Sequence, residues 1–117
     1  MIVTGAGSGI GQAIALRFAK HGAAVRILDI NESAAASTCQ QILAAGGRAS
    51  AHVCDVTDQA KVKATFFSLF ERERIHILVN NAGVSHIGTV ESSSVEDFDR
   101  LVRINVQVTH FDLRSRP

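Results

Sequence analysis

Short apolar runs alternate along the chain with longer stretches in which apolar residues recur every three or four positions. A short run rich in β-branched residues is typical of a buried strand, whereas a spacing of three and four is typical of an amphipathic helix. Each predicted strand is followed by such a helical stretch. The predicted strands are Ile2–Val3, Ala24–Ile30, Arg48–Cys54 and Ile75–Val79.

The first two helical stretches carry start and stop signals. The first covers Gln12–His21 and is followed by Gly22, whose left-handed conformational freedom suits the end of a helix. Asn31 is placed to cap the second helix, Glu32–Ala45, which is followed by Gly46. Both helices therefore have defined lengths, and each leads into the next strand.

The later helices follow the same logic. Asp58 can cap a third helix, which extends to about Arg74. A final helix is predicted from Ser93, because apolar residues recur at three and four until Val106. Residues 108–117 lose this rhythm and form an atypical tail.

This alternation predicts an α/β fold, a doubly wound parallel sheet with right-handed crossovers and helices on both faces. The pattern accounts for about four strands, and residues 1–117 would form a single domain. Sheets of this class bind ligands at the carboxyl ends of their strands. The informative residues should therefore stand just after strands.

Composition and charge narrow the function classes. The 117 residues are 46% hydrophobic with a formal net charge of +1, so no long-range field directs the chain to nucleic acid or to a membrane surface. No leader and no stretch of roughly 18 apolar residues is present, so a cytoplasmic protein is expected. The histidines and cysteines lack HExxH or CxxC spacing, so no metal site is predicted.

A glycine-rich segment, TGAGSGIG, follows the first strand. Gly5, Gly9 and Gly11 let the backbone turn tightly and approach a pyrophosphate, while the helix behind them presents free amides and the positive end of its dipole. Gln12 stands where a P-loop needs lysine. The segment also departs from strict GxGxxG spacing, because Ile10 stands at the third place, and a simple turn is the alternative.

Asp29 ends the second strand, 18 residues after Gly11. A carboxylate at this place can accept both hydroxyls of an adenosine ribose, and it would repel a 2′-phosphate. Neither Ser8 nor Ile30 offers a compensating cation, so NAD is predicted in preference to NADP. The alternative is a simple acid that leads the following helix.

Two further strand ends carry unusual residues. Asp55 and Val56 follow the third strand, where an acceptor and an apolar side chain could hold adenine; taken alone, the pair is more typical of a turn. The segment NNAG, residues 80–83, follows the fourth strand with two amides and two small residues. Buried amides there need partners, which neighbouring strands or a ribose could provide.

Taken together, these segments and Asn105 in RINVQ resemble the short-chain dehydrogenases/reductases, whose dinucleotide-binding domain has a Rossmann-type fold. The likeness extends from Ile2 to about Gln107. It implies that Asn80 is structural and that Asn105 is catalytic, as a proton-relay residue; a helix residue bonded to backbone is the alternative for Asn105. The cofactor-binding residues implied are Gly5, Gly7, Ser8, Gly9, Ile10, Gly11, Asp29, Asp55, Val56, Asn81, Ala82 and Gly83.

The family chemistry is hydride transfer between a nicotinamide and an alcohol or carbonyl substrate, with tyrosine as general acid or base and a nearby lysine. This chain contains no tyrosine, so the resemblance implies a partial domain, with its sheet truncated after about four strands, that is inactive by itself. The small-molecule substrate would then belong to the intact parent enzyme, a possible homo-oligomer. Two alternatives stay open: a non-catalytic NAD-binding or dimerising module, and an S-adenosylmethionine-dependent methyltransferase.

Overall fold

The computed structural model describes residues 1–83 and 95–96. Strands and helices alternate strictly along the first of these ranges, as the apolar pattern predicts. The strands are β1 (Ile2–Thr4), β2 (Ala24–Asp29), β3 (Arg48–Val53) and β4 (Leu78–Val79). The helices are α1 (Gly9–Lys20), α2 (Glu32–Ala44) and α3 (Gln59–Arg72).

The described strands form a parallel sheet in the order β3-β2-β1-β4. Val3 of β1 is paired with Ile27 of β2 on one side and with Val79 of β4 on the other. Strand order therefore reverses at β1, and in doubly wound sheets a crevice for ligands opens at the carboxyl ends of the strands beside such a point. The predicted α/β, doubly wound, parallel fold is confirmed.

Apolar side chains cover both faces of the sheet. Val3, Val25 and Ile27 point to one face, where they form a core with Ala15 and Ala19 of α1 and with Ala35 and Ile42 of α2. Successive strand residues point to opposite faces, so neighbouring strand residues form a second core. That core joins Ile2 and Leu28 to Val62, Phe66 and Leu69 of α3.

The predicted helix signals are confirmed. The Asn31 side chain accepts from the amide of Ala34 at 3.0 Å, and the Asp58 side chain accepts from the amide of Lys61 at 3.1 Å. Gly22, just after α1, has a φ of 94°. Each of these residues fixes where a helix begins or ends, and so where the next strand enters the sheet.

The fourth strand is shorter than the predicted Ile75–Val79. Only Leu78 and Val79 pair with β1, because β1 itself is three residues long. The amide of Ile2 also bonds to the carbonyl of Ile77 at 2.9 Å, just before β4 begins. Ile75 packs against the second core instead, and Ile77 is 41% exposed.

Two further predictions concern residues that are largely not described. The final helix from Ser93 lies outside the described residues except for 95–96, which are helical. The atypical tail, residues 108–117, lies entirely outside them.

A polar cluster ties β2, β3 and the end of α3 together beside the second core. The Arg26 guanidinium forms a two-pronged ion pair with Glu73, with Nη2 at 2.7 Å from Oε2. Arg26 also donates to Ser50 Oγ at 3.2 Å, and Ser50 Oγ lies 2.8 Å from His52 Nε2. Because Ser50 accepts from Arg26, its own proton is available to His52 Nε2, an arrangement that favours the neutral imidazole.

Replacing His52 with glutamine should remove part of the pH dependence of stability. Burial lowers the pKa of His52 below its usual 6.5, and the charges of Arg26 and Arg72 lower it further. The unfolded chain therefore binds more protons just below pH 6.5, so His52 stabilises the fold above this pH and loses that contribution as the pH falls. Urea unfolding of both proteins between about pH 7.5 and pH 5 measures the difference.

The same replacement at His76, which is exposed, is the control and should keep the slope of the parent. The pKa of Glu73 is lowered below 4.5 by its bond to Arg26, so Glu73 stays ionised over this window. Equal slopes for the parent and His52→Gln would contradict the prediction.

Candidate functional site

A cleft of about 480 Å³ opens at the carboxyl ends of the strands. Four separate chain segments meet in it: the glycine segment after β1, the end of β2, the turn after β3 and the loop after β4. The lining residues are Gly5, Ser8, Asp29, Ile30, Cys54, Asp55, Val56, Thr57, Asn81, Ala82 and Gly83. Residues far apart in sequence thus share one concave surface at the point where strand order reverses.

Gly5 and Gly11 of the glycine segment are packed too closely to carry side chains. Gly5 has a φ of 64°, and a Cβ added there would lie 2.9 Å from the Cα of Ala82. A Cβ on Gly11 would lie 2.3 Å from the carbonyl oxygen of Gly5 and 2.4 Å from Asn81 Nδ2. The ends of β1 and β4 therefore approach each other across bare backbone.

The first helix begins inside the glycine segment, three residues earlier than predicted. The amide of Gln12 bonds to the carbonyl of Ser8 at 3.2 Å, which closes the first turn and makes Gly9 the first helical residue. Amides of the first helical turn have no acceptor within the helix. These groups and the positive end of the α1 dipole lie beside the cleft, an arrangement suited to an anion.

Asp29 lines the cleft with its carboxylate fixed by two backbone amides. Oδ2 accepts from the amide of Gly7 at 2.8 Å, and Oδ1 accepts from the amide of Asn31 at 2.9 Å. The side-chain cap of α2 is Asn31, not Asp29. Because Asp29 also binds the amide of Gly7 in the glycine segment, it is more than an acid that precedes the helix. Each carboxylate oxygen can accept a second hydrogen bond, which leaves capacity for a ligand.

Asp55 and Val56 are both a turn and a part of the cleft. Asp55 Oδ1 accepts from the amide of Thr57 at 2.9 Å and from its hydroxyl at 2.7 Å. Both residues nevertheless line the cleft, and Val56 is partly buried against the second core. The two interpretations of this pair are therefore compatible.

The loop after β4 is held by the buried hydroxyl of Thr4, a residue that the sequence interpretation missed. Thr4 is 1% exposed, and its Oγ1 accepts from the amides of Asn81 and Ala82, each at 3.1 Å. The hydroxyl also lies 3.4 Å from the carbonyl of Val79, to which it donates. A threonine at a strand end before a glycine was the available signal.

The two asparagines of NNAG differ in their surroundings. Asn81 Nδ2 donates to the carbonyl of Gly5 at 3.1 Å, so this side chain braces the glycine segment while lining the cleft. Asn80 Oδ1 is buried and has no hydrogen-bond partner among the residues that the structure describes. The expectation that the amides bond to neighbouring segments thus holds for Asn81.

The structure brings most of the predicted site residues to the cleft. Gly7, Gly9 and Gly11 shape the glycine segment behind it, while the Ile10 side chain is 75% exposed on the first turn of α1. Ile30, Cys54 and Thr57 also line the cleft and were not among the predicted binding residues. The predicted catalytic residue, Asn105, lies outside the described residues.

The charged side chains in the described lining of the cleft are all acidic. Its described lining includes two carboxylates, Asp29 and Asp55, and no lysine, arginine or histidine. Positive potential there comes from backbone amides and the α1 dipole, which lie beside the glycine segment. A ligand that suits this cleft carries its anionic part over α1 and hydroxyl or amino donors toward the two carboxylates.

A second cavity, of about 600 Å³, lies at the opposite end of the sheet, beside the residues that lead into β2 and β3. Its lining includes Ala23 and Arg48, and Arg48 donates to the carbonyl of Gly22 at 2.9 Å. Doubly wound sheets place their ligands at the carboxyl ends instead. The smaller cleft is therefore the candidate site.

The residues that the structure describes offer neither a metal site nor a membrane-spanning helix. They contain no group of three or more His, Cys, Asp or Glu side chains that could hold a metal ion. None of their helices has the length and apolar character that crossing a membrane requires.

Known proteins are similar to this chain in sequence and in fold. A family model described as short chain dehydrogenase matches residues 1–111. An uncharacterized oxidoreductase of Thermotoga maritima is 42% identical over 109 residues, which are 92% of this chain and 42% of that protein. A metagenomic short-chain oxidoreductase in complex with NADP superposes with a TM-score of 0.93 and 32% identity, covering 97% of this chain and 52% of the other.

NAD⁺-bound xylitol dehydrogenase superposes with a TM-score of 0.92 and 36% identity, covering 97% of this chain and 45% of that one. The chain thus has the Rossmann-type fold, and it belongs to the short-chain dehydrogenase family. It spans about half the length of the relatives that it matches. Family membership decides against the methyltransferase alternative.

Proposed function

We propose that this chain binds a nicotinamide adenine dinucleotide across the carboxyl ends of β3, β2, β1 and β4, and that NAD is preferred to NADP. One observation carries the proposal: four chain segments line the same cleft. They are the glycine segment, the end of β2 with Asp29, the turn with Asp55 and the NNAG loop. Its volume of about 480 Å³ is in the usual range for small-molecule sites.

The diphosphate, the two riboses and the adenine of the dinucleotide each have a counterpart in the cleft. The diphosphate would lie over the glycine segment, whose backbone alone approaches it and whose first-turn amides would donate to it. The adenosine ribose would donate its two hydroxyls to Asp29, whose oxygens each keep capacity beyond the amide that they already bind. Adenine would lie against Val56 and Asp55, and Asn81–Gly83 would contact the second ribose.

The preference for NAD depends on charge. Asp29 would repel a 2′-phosphate at the position where it accepts the 2′-hydroxyl, and the described lining of the cleft offers no cation in compensation. The fold alone does not decide this preference, because similar structures were solved with NADP and with NAD⁺.

The bound nicotinamide would supply or accept a hydride, and the parent reaction would interconvert an alcohol and a carbonyl compound. That reaction also needs a group that exchanges a proton with the substrate oxygen, and a phenol serves only if its pKa is lowered from about 10. The 117 residues contain no tyrosine. We therefore propose cofactor binding for this chain, with a role for Asn105 in proton relay only alongside such a group.

Replacing Asp29 with alanine should weaken NADH binding by about 10- to 100-fold, because two hydrogen bonds to a charged acceptor are lost. NADPH binding should weaken less or improve, because the repulsion of its 2′-phosphate is also removed. Titration of the purified chain with each reduced nucleotide, followed by cofactor fluorescence, measures both constants.

Glu71→Ala is the matched control, since Glu71 is an exposed acid on α3 outside the cleft. It should leave both dissociation constants unchanged. A folded parent chain that binds neither nucleotide at millimolar concentration would contradict cofactor binding itself. Tighter binding of NADPH than NADH by the parent would overturn only the preference.

A further inference from the structure

Both oxygens of the Asp29 carboxylate are held in place by backbone amides. The amide of Gly7 reaches Oδ2 at 2.8 Å from the glycine segment, and the amide of Asn31 reaches Oδ1 at 2.9 Å from the start of α2. Because the two donors belong to different segments, the carboxylate cannot rotate without breaking at least one bond. Its remaining acceptor capacity is thus held in one orientation at the cleft.

Gly7 differs in backbone conformation from Gly5 and Gly9 of the same segment. Gly5 and Gly9 have a positive φ, whereas Gly7 does not, so backbone conformation does not require glycine at this position. Space requires it. A Cβ on Gly7 would lie 2.7 Å from Asp29 Oδ2 and 2.8 Å from the Cβ of Ala34, so any side chain would displace the carboxylate or the first turn of α2.

We propose that Gly7 is a positioning residue for nucleotide specificity: by its bare Cα and its amide it holds Asp29 where both hydroxyls of the adenosine ribose can bind. This inference rests on the proposed function, and it adds the residue through which Asp29 is oriented. Gly7 acts through Asp29, so its replacement should affect the nucleotide that uses Asp29 more than the one that Asp29 repels.

Gly7→Ala should weaken NADH binding about tenfold and change NADPH binding by less than about threefold, so that the ratio of the two constants falls. The change is best made also in the Ala34→Gly background, where the contact with the Ala34 methyl is absent and the contact with Asp29 persists. Ala34→Gly alone should keep the parent ratio. The double variant should show the same fall in ratio as Gly7→Ala.

A double-mutant cycle separates action through Asp29 from a direct effect on the diphosphate. In an Asp29→Ala background, Gly7→Ala should cause no further loss of NADH affinity, because the group that it displaces is gone. Equal weakening of NADH and NADPH, or additive losses in the cycle, would overturn the proposal, since the glycine segment would then act on the phosphates directly.

A measurement without cofactor tests the role of Gly7 separately from cofactor binding. It can also be made if the Gly7→Ala protein does not fold. Hydrogen exchange of the Gly7 amide, followed by NMR, should be slow in the parent and at least about tenfold faster in Asp29→Ala. Equal exchange rates in the two proteins would overturn the role of Gly7, whatever the cofactor affinity. A protected amide in a folded parent that binds neither nucleotide would instead refute the proposed function, and with it the specificity role.

Discussion

Replacing Gly11 with alanine should destabilise the fold by about 2–3 kcal/mol and abolish measurable NADH binding. Helix propensity alone predicts the opposite sign, because alanine inside a helix is favoured over glycine by about 0.5–1 kcal/mol. Packing outweighs propensity here, since the new methyl would lie 2.3 Å from the carbonyl oxygen of Gly5 and 2.4 Å from Asn81 Nδ2. Those two atoms form the bond that joins the glycine segment to the NNAG loop, so relief of the clash requires that bond to open.

Chemical denaturation and NADH titration of parent and variant measure the two effects. Gly46→Ala is the control, because Gly46 has open space around it but a φ of 83°. It should cost about 1 kcal/mol from backbone strain alone and leave NADH binding unchanged. A Gly11→Ala protein as stable as the parent would show that the glycine segment and the NNAG loop are not in close contact.

Replacing Thr4 with valine should cost about 2–4 kcal/mol, because the amides of Asn81 and Ala82 lose their common acceptor in a buried place. The substitution keeps the shape of the side chain, so the loss reports the hydroxyl rather than a cavity. NADH affinity should fall as well, since these two residues line the cleft. Denaturation and the same titration measure both changes.

Thr38→Val is the matched control, since Thr38 is equally buried but, among the described residues, its hydroxyl accepts only from the side chain of Gln12, at 3.2 Å. Gln12 is partly exposed and can bond to water instead, so the expected cost is about 1 kcal/mol with unchanged NADH binding. Thr4→Ser keeps the hydroxyl and should retain most of the parent's affinity. Equal losses for Thr4→Val and Thr38→Val would argue against the hydroxyl as the clamp of the loop.

The helices and strands were largely predictable because their signals are local. Asn31 and Asp58 cap the helices that they were expected to cap. The error at the fourth strand has a different origin: the apolar run IHILV looks like a strand throughout, but only Leu78 and Val79 find partners on the three-residue β1. The length of a strand depends on the strand beside it, and the local apolar pattern contains no information about that neighbouring strand.

The residues of the candidate site were largely predictable from the sequence, whereas the hydrogen bonds between them were not. Asp29, Asp55 and the NNAG segment were recognised because each lies at or after the end of a strand, and strand ends converge in a parallel sheet. The bonds that organise them were not predictable. Thr4 and Asn81 are separated by 77 positions, and Gly7 and Asp29 by 22, so no periodicity relates them.

The amino-acid sequence by itself determined the alternation of strands and helices, the glycine segment, the strand-end acids and hence the family, because these depend on residues close together in the chain. Only the tertiary structure decided that the Thr4 hydroxyl accepts from the amides of the NNAG loop, that Asn81 donates to the carbonyl of Gly5 and that the amide of Gly7 donates to Asp29. These contacts exist because β1 lies between β2 and β4, which brings the three strand ends together.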